Sequence, residues 1–137
     1  MPLGLPVYNS GAMTTQIRLI PIYTTSGDLG ALMAYPYIYN TMGEWIGFVT
    51  AQREVYSVLG YFVGDLADGP RILRKRTYSF DKPRLEPPPQ PSRISAPANV
   101  PLAPMMSEVP FSLIDVLEEE PEKLSTLDAG ELREDMD

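Results

Sequence analysis

Three stretches of this chain, 22–33, 38–49 and 55–66, align on one another without gaps at steps of 16 and 17 residues. They share the frame aliphatic-Tyr-x-x-x-Gly-x-x-x-small-x-apolar. A repeat this short holds only one supersecondary element per unit, which leaves few folds open. Its internal marks select a β-hairpin. Thr24, Asn40 and Ser57 stand three residues before Gly27, Gly43 and Gly60. A type I turn favours Asn, Asp or Ser at its first position and Gly at its fourth. A left-handed Gly there closes a three-residue loop through a bulge. This geometry predicts Tyr23 across from Leu29, Tyr39 from Trp45 and Tyr56 from Phe62, pairs that are favourable across strands.

The next position on the same face holds Ala31, Gly47 or Gly64, either to leave room for a neighbouring ring or to let the sheet bend. The opposite face carries Ile22, Ile38, Ile46, Phe48, Val55 and Val63. An antiparallel sheet with one face in water alternates apolar and polar residues, and this one does not. The hairpins must therefore close on themselves or meet a partner. The expected fold is all-β: a small barrel- or flower-like module of three to four hairpins over 17–80. A core that small is weak, so a homo-oligomer is expected. A fourth copy should begin at Arg71-Ile72-Leu73, where the frame fades into Arg74-Lys75-Arg76.

Composition changes sharply around this module. Seven of the ten glycines lie in 27–69, and nine of the fifteen prolines lie in 83–110. Residues 1–104 carry nine basic and seven acidic side chains, and 105–137 carry two and eleven. The net −7 thus divides into +2 and −9. The expected organisation is a flexible leader (1–16), the hairpin module (17–80), a Pro-rich linker (81–108) and an acidic tail (109–137). The linker should be extended and semi-rigid. The tail should be mostly disordered with at most one short helix. Ser112-(x)2-Asp115 resembles a capping box, and Leu113, Ile114, Val116 and Leu117 form an apolar stripe that Pro121 cuts short. That stripe reads as a docking segment, in cis or in trans. Translation could start at Met1 or at Met13.

Chemistry is thin. The chain has no Cys and no His, which removes the thiolate nucleophile and the usual base near neutral pH. No residue is singled out as catalytic, cofactor-binding or metal-ligating. The nine-residue apolar run 31–39 is too short to span a membrane, the first residues lack a secretory pattern, and a cytoplasmic location is expected. Arg71, Arg74, Lys75 and Arg76, followed by Lys82 and Arg84, make a basic segment beside Tyr78 and Phe80. Such a segment could hold single-stranded nucleic acid, although the overall acidic balance opposes it. In a strand, Arg74 and Arg76 would share a face and charge an exposed edge.

The Tyr39-(x)3-Gly43-Glu44-Trp45-Ile46-Gly47-Phe48-Val49 unit, followed by Val55-Tyr56-(x)3-Gly60-(x)2-Val63-Gly64, resembles the four-fold β-flower domain, a bacterial family of short hairpin repeats. Gly-x-x-apolar-Gly is also similar to PRC-barrel domains, small β-barrels that serve as interaction modules. The resemblance extends to the basic 71–76 segment, the Pro-rich stretch and residues 131–137. It implies a β-flower with no catalytic residues to carry over. At Gly30 the chain departs from the frame, where an aliphatic is expected. The functional expectation is a non-enzymatic interaction or scaffold module, self-associating through the hairpins and docking an unknown protein through the tail. Nucleic-acid binding through 71–84 is the alternative.

Overall fold

The computed structural model describes residues 18–127; the leader 1–16 and the terminal 131–137 motif lie outside them. Among the described residues, eight strands follow in chain order: β1 (Ile20–Tyr23), β2 (Leu29–Ala34), β3 (Tyr37–Tyr39), β4 (Trp45–Val49), β5 (Glu54–Ser57), β6 (Phe62–Ala67), β7 (Arg71–Lys75) and β8 (Leu113–Asp115). They form one antiparallel meander, each strand bonded to its sequence neighbours. A four-residue helix, α1 (Val116–Glu119), and a 3-10 turn (Pro121–Lys123) follow β8.

The first three hairpins pair as the repeat predicts. Tyr23 faces Leu29, Tyr39 faces Trp45 and Tyr56 faces Phe62, each beside a bulge in the register. Gly27, Gly43 and Gly60 all have positive φ and donate back to Thr24, Asn40 and Ser57 at 2.9–3.0 Å. The bulge leaves one extra residue on the return strand. Ile46 and Val63 occupy that place and are buried in the core.

The fourth hairpin closes over a long excursion. β7 pairs with β8, Leu73 facing Asp115 and Arg74 facing Ile114. β7 is therefore an internal strand and not the exposed edge that its arginines suggest. The capping-box reading of Ser112-(x)2-Asp115 is corrected too. Asp115 sits at the N-cap of α1 without capping it. Its Oδ2 instead accepts from the Thr25 backbone N–H at 2.7 Å and from the Thr25 hydroxyl at 2.6 Å. Together with Tyr23 N–H donating to the Pro70 carbonyl at 2.9 Å, these bonds bring the first hairpin round to the last and curl the sheet.

Residues after β8 fill the inside of the curl. Ile114, Val116 and Leu124 belong to the same buried cluster as Ile22, Ile38, Ile46, Val55, Val63 and Ile72. Three glycines of the return strands lie against residues that follow β8. A Cβ on Gly30 would fall 2.7 Å from the Leu117 side chain, one on Gly47 2.8 Å from Leu124, and one on Gly64 3.2 Å from Val116. The irregular Gly30 thus leaves the space that Leu117 takes. Gly47 and Gly64 also lie against backbone carbonyls of the next strand, Tyr56 and Leu73, so close strand approach, not a neighbouring ring, accounts for them.

The Pro-rich segment covers the outer face. Leu85 N–H donates to the Gly60 carbonyl and Ile94 N–H to the Gly43 carbonyl, at 2.9 and 3.0 Å. The Tyr37 hydroxyl donates to Pro89 O at 2.8 Å, and the Tyr23 hydroxyl to Pro101 O at 2.6 Å. Extended proline-rich chain has no internal hydrogen bonds, so its carbonyls are open to such donors. The strap crosses the third, second and first hairpins in turn. Ile94 and Val100 pack there against a second apolar cluster of Leu32, Tyr39, Trp45 and Val58. Both apolar faces are therefore covered by the chain's own later residues, although the bulge exchanges two members of the faces read from the sequence: Ala31 joins the inner cluster and Phe48 lies on the outer side against Tyr56. Among the described residues, no helix is long and apolar enough to cross a membrane.

Candidate functional site

Residues proposed for docking from the sequence fall into the core. Ile114 is 3% exposed and Val116 fully buried, while Leu113 and Leu117 are half-buried. The basic run is drawn inward with them. Arg71 is buried, donating to Ser107 O at 2.8 Å and to the Thr25 hydroxyl at 3.1 Å. Arg74, 4% exposed, meets both oxygens of Glu120, the nearer at 2.7 Å. Arg76 donates to Phe111 O at 2.8 Å and pairs with Glu119 at 3.4 Å. Lys75 points to solvent. The acidic run 118–120 therefore clasps the basic body. Glu118 completes the clasp by accepting from Ser26, both from its backbone N–H, at 2.7 Å, and from its hydroxyl.

This clasp titrates. Arg74 holds Glu120 below the ordinary glutamate value of 4.5, chiefly by hydrogen bonding, and Ser26 holds Glu118 below it. Glu54 is lowered as well, first by Lys82. A carboxylate with a depressed folded-state pKa contributes stability above its unfolded value and loses it as pH falls through the folded one. Asp65 runs the other way, because desolvation and then Glu54 push its carboxyl up. With three groups against one, the protein should lose stability as pH falls below the ordinary glutamate value of 4.5 into the acid range. Urea midpoints measured across that range test it, and a midpoint that holds or rises on acidification would contradict the clasp.

An open concavity lies beside the clasp. It encloses about 370 Å³ between the tip of the third hairpin (Val58, Leu59, Tyr61), β6 (Phe62, Val63), the turn after β7 (Tyr78, Phe80, Lys82) and residues 122–126. Its rings belong to a continuous ladder. Phe48 stacks on Tyr56, Tyr56 meets Phe62 edge-on, and Phe62, Tyr78 and Phe80 follow with centroids 5.2 and 4.9 Å apart. Cations lie over these rings. Lys82 Nζ is 5.1 Å from the Phe62 centroid and Lys123 Nζ 5.1 Å from that of Phe80. The Arg74 guanidinium is 5.0 Å from Phe80 and 5.8 Å from Tyr78.

Lys82 is fixed by Glu54 at 2.8 Å. Glu54 stands across the β5–β6 ladder from Asp65. Like charges directly opposite are unfavourable, and the ammonium offsets that repulsion. Phe80 holds φ +61° with 58% of its surface exposed. Left-handed backbone at a bulky residue is strained, and such strain concentrates at functional positions.

Sequence reasoning found part of this site. Tyr78 and Phe80 stand out as aromatics beside a basic run that includes Lys82. Tyr61 and Phe62 read only as hairpin residues, and Lys123 carries no local signal. The groove exists only because the chain after α1 returns to the third hairpin. Among the described residues no group of three or more acidic side chains is placed to hold a metal ion. No family model, curated protein or solved structure matches this chain.

Proposed function

We propose that the protein is a non-enzymatic interaction module of the β-flower type, and that it binds its partner through the aromatic groove. The observation behind this reading is the contrast between used and open surface. The apolar stripe of the tail is consumed in cis, and both sheet faces are covered by the chain's own segments. The groove stays open, apolar in most of its lining, with an exposed and strained Phe80 on its wall. Concave, mainly apolar sites with a few placed polar groups are the usual form of a binding site. The covered faces also weaken the case for self-association. The nucleic-acid alternative loses Arg71, Arg74 and Arg76, whose donors are engaged inside the chain.

Amine-reactive crosslinking of the full chain in its source cells tests this reading. The chain has three lysines, Lys75, Lys82 and Lys123, and two of them line the groove. Intermolecular crosslinks should fall on Lys82 and Lys123, and Phe80→Ala should deplete them. Crosslinks confined to Lys75, or unaffected by Phe80→Ala, would sink the proposal.

A further inference from the structure

The strap is seated by one contact made twice. Arg84-Leu85 and Arg93-Ile94 are arginine–aliphatic dipeptides nine residues apart. Leu85 N–H donates to the carbonyl of the tip glycine Gly60 at 2.9 Å, and Ile94 N–H to that of Gly43 at 3.0 Å. Each time the preceding arginine donates to the carbonyl just before the glycine. Arg84 reaches Leu59 O at 2.6 Å and Arg93 reaches Met42 O at 3.3 Å. The carbonyl of the aliphatic residue then lies where a Cβ on either glycine would stand. The residue after the glycine accompanies the guanidinium: the Tyr61 ring centroid is 6.0 Å from Arg84, and Glu44 lines a small cleft with Arg93.

The first hairpin has the same tip without such an occupant. Gly27 holds φ +100° and donates to Thr24 as Gly43 does to Asn40. A Cβ placed on it meets nothing within 4 Å. Ser26, Gly27 and Asp28 are exposed, and Leu29, in the place of Trp45 and Phe62, is half-buried. Among the described residues, no donor meets the Ser26 or Gly27 carbonyl. The strap's next nine-residue step falls on Leu102-Ala103, which brings no arginine, and Leu102 is 94% exposed. Charge at this tip suits an arginine. Asp28 stands in the place of Glu44, Glu118 is held against Ser26, and neither has an ion pair among the described residues. We infer that the first tip is an open seat for an extended arginine–leucine or arginine–isoleucine segment of another protein. The aliphatic N–H bonds the Gly27 carbonyl, the guanidinium bonds that of Ser26, and the charge rests near Asp28 and Glu118. None of these residues lines the aromatic groove, so this second contact surface stands or falls apart from it.

The test is a titration of the isotope-labelled full chain, followed by its amide NMR signals, with a synthetic peptide copying residues 92–98. Tethering holds the strap's own dipeptides on the second and third tips at high effective concentration. The free peptide should therefore shift Ser26, Gly27 and Asp28 alone, with a dissociation constant of about 1 mM. Arg93→Gln in the peptide, or methylation of its Ile94 nitrogen, should weaken binding about tenfold. Asp28→Asn in the protein should weaken it about threefold and lessen its salt dependence. Gly27→Ala puts a Cβ in the place of the incoming carbonyl and should abolish binding. Asp28→Asn, at an exposed side chain, keeps the test decisive if the alanine unsettles the tip.

No saturable shift at the first tip by about 10 mM peptide would overturn the inference, as would equal binding of the Arg93→Gln peptide. Shifts centred on Gly43 and Gly60 would overturn it by showing that the peptide exchanges with the strap and fills no open seat. Shifts at the first tip on raising the protein concentration alone would assign the seat to a second copy of the chain and overturn a separate partner.

Discussion

A chain cut after residue 80 is expected not to fold, although it keeps every recognisable repeat. The cut removes β8, so β7 loses its partner strand. It also removes Ile114, Val116 and Leu124 from the buried cluster and opens the core at Gly30, Gly47 and Gly64. Full burial of a Val, Leu or Ile side chain is worth about 1.5–3 kcal/mol. Three such losses equal much of the ~5–15 kcal/mol that holds a typical domain. Arg74 would lose Glu120 as well, and a buried charge stripped of its partner is strongly destabilising.

Single substitutions should grade this effect. Ile114→Ala should cost about 2–5 kcal/mol. Val116→Asp, which places a carboxylate beside Ile72 and Gly64, should unfold the chain. Circular dichroism and urea denaturation of fragment 17–80 and of the two variants provide the measurement. A fragment that melts cooperatively as a monomer would show that the repeats suffice without their plug. The same geometry means that acidic substitutions at Ile114 and Leu117 report on folding and cannot isolate a docking event.

Local signals account for what the sequence revealed. Each hairpin is specified by a turn and by residues within a few positions of it, so Asn40, Gly43 and the Tyr39–Trp45 pair are visible together. The fourth hairpin has no such locality, because Arg74 meets Ile114 across a 40-position gap in the sequence. Leu113, Ile114, Val116 and Leu117 stand out as an apolar run, but nothing near them says that half will extend along β7. Tertiary contacts decided it: Asp115 gives its carboxylate to Thr25 instead of to a helix cap. Gly30 was legible only as an irregularity, since Leu117, which explains it, lies 87 positions away. The basic segment misled for a related reason. Charge read along the chain ignores the acidic run 118–120, which folding lays against it. The groove follows from the same long-range return and was visible only through Tyr78, Phe80 and Lys82.

Gly43→Ala and Gly60→Ala should cost far more stability than Gly27→Ala. All three glycines have positive φ, between +87° and +100°, so an added Cβ carries a backbone penalty of about 1–2 kcal/mol at each. Their surroundings differ. A Cβ at Gly27 meets nothing within 4 Å, but at Gly43 it would fall 1.9 Å from the Ile94 carbonyl oxygen and at Gly60 2.0 Å from that of Leu85. A backbone atom cannot swing aside as a side-chain tip can, so the strap must lift. Lifting breaks the Ile94 or Leu85 hydrogen bond, worth about 0.5–1.5 kcal/mol. At Gly43 it also uncovers the cluster around Tyr39 and Trp45. The expected losses are about 1–2 kcal/mol for Gly27→Ala and about 3 kcal/mol or more for the other two. Urea denaturation gives the totals, and limited proteolysis locates them, because cleavage within 81–108 should rise in Gly43→Ala and Gly60→Ala but not in Gly27→Ala. Equal losses at all three would mean that turn conformation alone demands these glycines. Unequal losses would mean that the second and third tips are seats for the strap, so that the repeat and the Pro-rich segment act as one folding unit.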